Sequence, residues 1–191
     1  LSTASANAKR SGKKGKGAAP ERRAVDERLA AVLKGHEGPV LDACCAEGRF
    51  VLSVSSDRTM RLWDRAHLLE KDHRSTRLNI PLDNASRVTV SPDGTYAFAV
   101  LASKQVAIIR VRKPCSKGPR MQIGKTFPTE HTDVEIGGIC VTNDLKYSVT
   151  CGSGEEIHLL DNKAGSCIYK TPSRQMSNHM LAMTGLGDML G

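Results

Sequence analysis

Residues 52–64 read Leu52-Ser-Val-Ser-Ser-Asp-Arg-Thr-Met-Arg-Leu-Trp-Asp64, and they hold the most informative pattern in the chain. Two short runs rich in apolar and hydroxyl side chains lie on either side of a tight turn at Asp57. Both runs are too short for a stable helix, so the stretch predicts two antiparallel strands. The dipeptide Gly35-His36 opens this unit, and Trp63-Asp64 closes it.

The same pattern recurs along the chain at intervals of roughly 40–50 residues. Each copy passes from an apolar run through a four-residue turn to a second apolar run, and the copies span residues 40–54, 86–100, 137–151 and 179–191. The strongest turn signal is Ser-Pro-Asp-Gly at 91–94, where Pro and Gly suit a tight hairpin. Further strands are expected at residues 59–63, 106–111, 157–160 and 165–170. Four-stranded units at this period predict an all-β propeller.

Four positions of the first unit agree with one known repeat, and the chain therefore resembles the WD-repeat family. The resemblance implies a hydrogen-bond chain within the blade that links His36, Ser53, Asp57 and Trp63. Such a buried polar chain stabilises a fold when every member has a partner.

The later units depart from that pattern. Ser103 and Ile109 stand in the second unit where Asp and Trp are expected, and the third unit keeps His131 but has Leu160 in place of Trp. We expect these blades to depend on apolar packing, and the polar chain to be confined to the first blade.

Two further segments, residues 28–34 and 71–86, resemble the transducin beta-like branch of the WD-repeat family. This resemblance implies an adaptor associated with the endoplasmic reticulum, on its cytosolic or lumenal face, with a cytoplasmic location as the alternative. It also implies a role in unfolded-protein-response signalling through a kinase of that response, and a membrane anchor upstream of Leu1.

The expected organisation is a disordered basic tail at residues 1–24, a short helical lead-in at 25–34 and a partial propeller at 35–191. The expected blades span residues 35–80, 81–125 and 126–171, followed by an incomplete unit at 172–191. Because a blade needs about 40–45 residues, we expect three to four blades of an incomplete ring and a longer parent protein.

The formal net charge of +8 is concentrated in the tail, where seven Lys and Arg residues stand against one Glu within residues 1–24. The candidate polyanion contacts are Lys9, Arg10, Lys13, Lys14 and Lys16. The tail is compatible with a solvated linker, with contact to RNA, the ribosome or an anionic membrane surface, or with a nuclear localisation signal. No aromatic residue lies among these lysines, so we expect no base stacking.

No pattern in the chain predicts catalysis, a cofactor, a metal or a small-molecule substrate. The six cysteines form no C-x-x-C pair, and we expect buried, reduced structural thiols. His36 near Cys44 and Cys45 lacks the accompanying groups of a nucleophilic site. Glu155 and Glu156 are adjacent, so they point to opposite faces of a strand and suit a solvated turn better than a carboxylate pair.

The remaining candidate is a protein-binding rim. Loops that enter the first strand of each blade and turns between the second and third strands gather on one side of a propeller. The candidate residues in these loops and turns carry charges of both signs, which suits a polar interface with another protein. The rim candidates are Glu37, Arg58, Lys104, His131 and Glu155.

Overall fold

The computed structural model describes residues 32–46, 48–68, 74–80, 83–113, 119–131, 135–152 and 156–172. These residues form three antiparallel sheets of four strands, each with its strands in chain order. The predicted all-β architecture of four-stranded units is thereby confirmed. The basic tail and almost all of the expected fourth unit lie outside the described residues, as do residues 25–31 of the expected helical lead-in. Residues 32–34 of that lead-in are described, and they form no helix.

The first sheet contains β1 (Val40–Ala46), β2 (Phe50–Ser55), β3 (Thr59–Asp64) and β4 (Ser75–Asn79). A single 3-10 turn, Arg65–His67, follows β3. β2 and β3 lie in the middle of the sheet and bury most of their side chains, whereas β1 and β4 at its two edges are more exposed.

The second sheet contains β5 (Ala85–Val90), β6 (Tyr96–Leu101), β7 (Gln105–Val111) and β8 (Met121–Pro128). The blade boundary expected after residue 125 falls inside β8, which continues to Pro128. The turn between β5 and β6 has Gly94 at a φ of 66°. A left-handed backbone of this kind favours glycine, which explains the Ser-Pro-Asp-Gly signal.

The third sheet contains β9 (Ile136–Val141), β10 (Tyr147–Gly152), β11 (Glu156–Asp161) and β12 (Ser166–Pro172). Leu145 occupies the left-handed turn position at a φ of 61°, where the other two sheets have glycine. The Thr142 hydroxyl donates to the Asp144 carboxylate at 2.6 Å and holds this turn without glycine.

Two apolar cores join consecutive sheets. Leu52, Met60 and Leu62 of the first sheet pack with the second sheet, whose other face packs through Phe98 and Val106 against the third. Polar ties connect the first strands of the sheets. The Asp42 carboxylate of β1 accepts the Val88 N–H of β5 at 2.9 Å, and Arg87 of β5 donates to the Gly137 carbonyl of β9 at 2.7 Å.

Candidate functional site: the rim and its polar networks

A continuous hydrogen-bond chain crosses the first sheet. The indole N–H of Trp63 donates to Ser53 Oγ at 2.8 Å, and Ser53 Oγ lies 2.7 Å from His36 Nε2. His36 Nδ1 lies 3.0 Å from the Asp57 carboxylate, which can only accept, so Nδ1 carries the proton and Ser53 donates to Nε2. The structure therefore links all four residues in one chain of donors and acceptors, with Ser53 and Trp63 6% and 2% exposed.

Asp57 also fixes the turn between β2 and β3. Its carboxylate accepts the N–H of Glu37 at 2.9 Å, the N–H of Thr59 at 2.9 Å and the Thr59 hydroxyl at 2.6 Å. Burial raises the pKa of Asp57, but the hydrogen bonds from Thr59, Glu37 and His36 outweigh it and bring the pKa well below the usual range. The group therefore stays ionised, and the turn keeps its geometry, throughout the physiological pH range.

Arg58 and Lys104 occupy equivalent positions in the turns that precede β3 and β7. Both residues have a φ of 60°, an uncommon backbone conformation for a side chain with a Cβ. The Arg58 carbonyl accepts the Ile80 N–H at 2.9 Å, and the Lys104 carbonyl accepts the Thr129 N–H at 3.0 Å. The backbone of both turns is thus held from two sides, with Arg58 exposed and Lys104 half-buried.

His131 does not lie on the exposed rim, and this sequence prediction is wrong. The side chain is only 6% exposed, and its Nε2 lies 3.1 Å from Thr150 Oγ1. The ring stacks on His158 with centroids 3.7 Å apart and planes 4° apart. Burial first, and then the charge of His158, lower the pKa of His131 to about 4.

The third sheet therefore has a polar network of its own, which corrects the expectation that only the first blade has one. Thr150 pairs with His158 across β10 and β11, as Ser53 pairs with Arg61 in the first sheet. His158 places Nδ1 2.8 Å from the Thr129 carbonyl and Nε2 2.9 Å from the Glu156 carboxylate.

In the second sheet, Asp83 and Ser103 tie the segment before the sheet to the turn before β7. The Asp83 carboxylate, just before β5, accepts the Ser103 N–H at 3.1 Å and the Ser103 hydroxyl at 2.5 Å. In the first sheet the acceptor, Asp57, lies in the turn, and the donating Glu37 N–H lies in the segment before the sheet. In the second sheet these positions are exchanged, because the acceptor Asp83 precedes the sheet and the donor Ser103 lies in the turn. Sequence reasoning missed Asp83, although an acidic residue close before a predicted strand was an available signal.

The other rim candidates divide between described and undescribed residues. Glu37 is exposed, with its carboxylate 3.9 Å from Arg77, and it lies beside the Asp57 turn. Glu155 lies outside the described residues, as do the five lysine and arginine candidates of the tail. The rim that the structure describes therefore contains Glu37, Arg58 and Lys104.

The described cysteines differ in their surroundings. Cys140 and Cys151 are buried, but Cys45 is exposed, contrary to the expectation of a buried thiol. Burial, with a smaller effect of Asp42, raises the pKa of Cys44 to about 12. Within the described ranges, no three His, Cys, Asp or Glu side chains are arranged to hold a metal ion. In the same ranges, no helix has the length and apolar character needed to cross a membrane.

Comparison with known proteins agrees with this architecture. Residues 27–64 match the family described as WD domain, G-beta repeat, and they include all four members of the first network. The β-propeller domain of Myceliophteria thermophila Cps50 (Swd1) superposes with a TM-score of 0.57 at 15% identity, over 73% of this chain and 43% of that domain. The three sheets are blades of a β-propeller, and the first of them contains the matched WD repeat. The first strands of consecutive blades contact one another, β1 with β5 and β5 with β9.

The curated relatives that match this chain confirm the resemblance to the transducin beta-like branch that the sequence predicted. Human transducin beta-like protein 2 is 28% identical over 166 residues, and its mouse counterpart is 29% identical over 155 residues. These alignments cover 83% and 78% of this chain but 36% and 34% of the relatives, so the chain spans about a third of their length. The mouse periodic tryptophan protein 2 homolog is 31% identical over 120 residues, 62% of this chain and 11% of that protein.

Proposed function

We propose that this propeller is a non-enzymatic scaffold that binds other proteins through the rim of Glu37, Arg58 and Lys104. The observation that supports the proposal most strongly is the equivalent left-handed backbone of Arg58 and Lys104, held at both carbonyls. Residues held in uncommon backbone conformations often occur at functional sites. A rigid backbone also reduces the entropy lost on binding, because little of the surface must become ordered.

The chemistry of the described residues supports a binding role better than a catalytic one. His36 donates to Asp57 and accepts from Ser53, so its two ring nitrogens already have structural partners. The raised pKa of Cys44 leaves very little of the reactive thiolate near neutral pH. Neither group has the features expected of a base or a nucleophile.

The resemblance to transducin beta-like protein 2 supports a more specific role. We place the chain in an adaptor associated with the endoplasmic reticulum that acts in the unfolded-protein response by binding a kinase of that response. The similarity extends over 83% of the chain, so the rim belongs to the aligned region. A cytoplasmic location is the alternative.

The test is co-purification of an unfolded-protein-response kinase with the tagged chain from cells under secretory stress. Arg58→Glu reverses an exposed charge on the rim, and we expect recovery of the kinase to fall at least about fivefold. The matched control is Arg110→Glu, which changes an exposed arginine near the opposite end of β7. Equal recovery with both variants would contradict a role for the rim, and absence of the kinase from the unchanged protein would contradict the named partner.

The charge of the tail supports a second candidate, an adaptor that binds RNA or the ribosome through Lys9, Arg10, Lys13, Lys14 and Lys16. Binding to phosphates releases counterions, so log affinity should fall steeply with log salt concentration. Deletion of residues 1–24 should abolish RNA binding in this case and leave kinase binding unchanged in the first.

A further inference from the structure

A cleft opens between the first two blades on the side opposite the rim. It has a volume of about 820 Å³ and is bounded by the turn after β1, the end of β3, the turn after β5 and the described residues at the end of β7 and just before β8. Turns at this end of the strands cannot belong to the rim, because the chain reverses direction between β2 and β3. The cleft is therefore a separate surface from the one described above.

Positive charge dominates the lining of the cleft. Among the described residues, its walls contain five cationic side chains and two carboxylates. The carboxylates are Asp64 and Asp93, and the cations are Arg49, Arg65, Arg112, Lys113 and Arg120.

The four arginines belong to two backbone-paired sets, one on each blade. The Arg65 N–H donates to the Arg49 carbonyl at 3.0 Å, and the Arg112 N–H donates to the Arg120 carbonyl at 2.8 Å. Arg49 also reaches across the cleft, where its Nη1 donates to the Asp93 carbonyl of the second blade. The main chain that supports these side chains is therefore fixed before any ligand arrives.

Gly94 makes this crossing possible. A Cβ at this position would lie 3.0 Å from Arg49 Nη1, and the backbone has a φ of +66°. A larger residue would both strain the turn and displace the arginine. The glycine that forms the hairpin thus also leaves space for the guanidinium.

The two carboxylates are already engaged and do not neutralise the whole cleft. Asp64 accepts from Arg120 Nη1 at 3.2 Å and from the Ala66 N–H at 3.3 Å. Asp93 accepts from the hydroxyls of Ser91 and Thr95. Arg65 Nη1 donates to the Gly48 carbonyl over a long 3.4 Å, and a guanidinium offers five N–H donors.

The shape and composition of the cleft favour a peptide over a bare anion or a nucleic acid. Its volume lies in the range of pockets that enclose a small organic ligand and is far larger than one phosphate. Phe50 and Val111 contribute apolar surface, yet they are only 7% and 6% exposed. The single aromatic ring of the described lining is thus too deeply buried to serve as a stacking platform for bases.

We infer that this cleft binds an anionic peptide segment of a partner protein, with a phosphorylated side chain or a group of carboxylates held between Arg49 and Arg65. Planar guanidinium groups bind both kinds of oxygen anion through paired N–H donors. The inference rests on the proposed role as a protein-binding scaffold, but it concerns a different surface of the propeller.

The experiment measures fluorescence anisotropy of three labelled degenerate peptide pools with the full chain at constant salt. The pools carry a fixed phosphoserine, a glutamate or a serine at their centre. We expect the phosphoserine or glutamate pool to bind at least about tenfold more tightly than the serine pool, and the tighter of the two identifies the source of the charge. Equal binding of all three pools would overturn the inference.

Variants locate the binding and separate this inference from the rim proposal. Arg65→Gln and Lys113→Gln change exposed residues of the cleft, and each should weaken binding of the preferred pool about tenfold. Arg58→Gln on the opposite rim should change it less than twofold. The basic tail is present in every variant, so a contribution from the tail cannot imitate this difference. Unchanged peptide binding in both cleft variants, or a greater loss with Arg58→Gln, would overturn the inference. A polyuridine RNA that displaces the peptide and binds equally well to the unchanged chain and to Arg65→Gln would also overturn it. Loss of kinase co-purification in Arg58→Glu concerns the rim proposal alone, because Arg58 does not line the cleft.

Discussion

His131 stacks on His158 at a ring separation of 3.7 Å, although the two residues come from different segments of the third blade. The first blade instead has His36 edge-on to Trp63, with ring centroids 6.3 Å apart. Thr150 contacts His131, and the Thr129 carbonyl and Glu156 contact His158. Protonation of His131 would place a positive charge in a buried position near Lys104 and Lys170, and the nearby Glu156 carboxylate offsets only part of this cost.

The stability of the propeller should therefore decrease in mild acid. The pKa of His131 falls from 6.5 to about 4 on folding, so its neutral form contributes stability above pH 6.5 that is lost as the pH falls toward 4. Between these values the unfolded chain binds more protons, and the slope should approach about 1.4 kcal/mol per pH unit. Urea unfolding at pH 7.5, 6, 5 and 4.5 measures this slope. His131→Gln should flatten it, and an identical slope in the variant would contradict the assignment.

Removal of the Trp63 side chain should be the most damaging single change in the first blade. Trp63 is 2% exposed and donates to Ser53, so Trp63→Ala creates a cavity and leaves a buried acceptor partly unsatisfied. We expect a loss of about 3–5 kcal/mol in the free energy of unfolding. Trp63→Phe retains much of the volume without the N–H and should cost less. Chemical denaturation compares the two variants, and equal losses would show that the hydrogen bond outweighs the volume.

The carboxylate of Asp57 should matter more than its volume. Asp57→Asn keeps the shape but replaces an acceptor of four hydrogen bonds by an amide that both donates and accepts. A loss of about 1–3 kcal/mol is expected, because His36 and Thr59 then face a donor. Thermal unfolding of Asp57→Asn beside Asp144→Asn, a turn carboxylate outside the network, provides the comparison. An equal effect of the two changes would argue against a special role for Asp57.

Asp83 and Ser103 should be energetically coupled. The two residues share two hydrogen bonds, which join the segment before β5 to the turn before β7. In a double-mutant cycle of Asp83→Ala and Ser103→Ala, the two changes together should cost less than the sum of the single changes, by about 0.5–1.5 kcal/mol. Ser103→Ala keeps the backbone N–H, so strictly additive losses would mean that the hydroxyl hydrogen bond to Asp83 contributes nothing to stability.

Several features were predictable because they depend on local chemistry. The tight turns, the short alternating strands and the spacing of Gly35-His36 from Trp63 follow from residue types that suit those conformations. The first network was instead implied by the resemblance to the WD-repeat family, because its hydrogen bonds join residues 10 to 21 positions apart in the chain. Local signals are weaker for β4 and β8, so the blade boundary expected after residue 125 falls inside β8.

The amino-acid sequence by itself determined the repeat and the all-β class, because each depends on turns and strands of a few residues, whereas the members of the first polar network followed from the resemblance to the WD-repeat family. Tertiary structure alone decided that His131 is buried, since this depends on the register that pairs Thr150 with His158 and on packing of the second blade against the third. It also decided that Asp83 meets Ser103 and that arginines from two blades surround one cleft. The arginines meet only when two blades stack, and Asp83 meets Ser103 only when the strands of the second sheet pair, so no local pattern encodes these contacts.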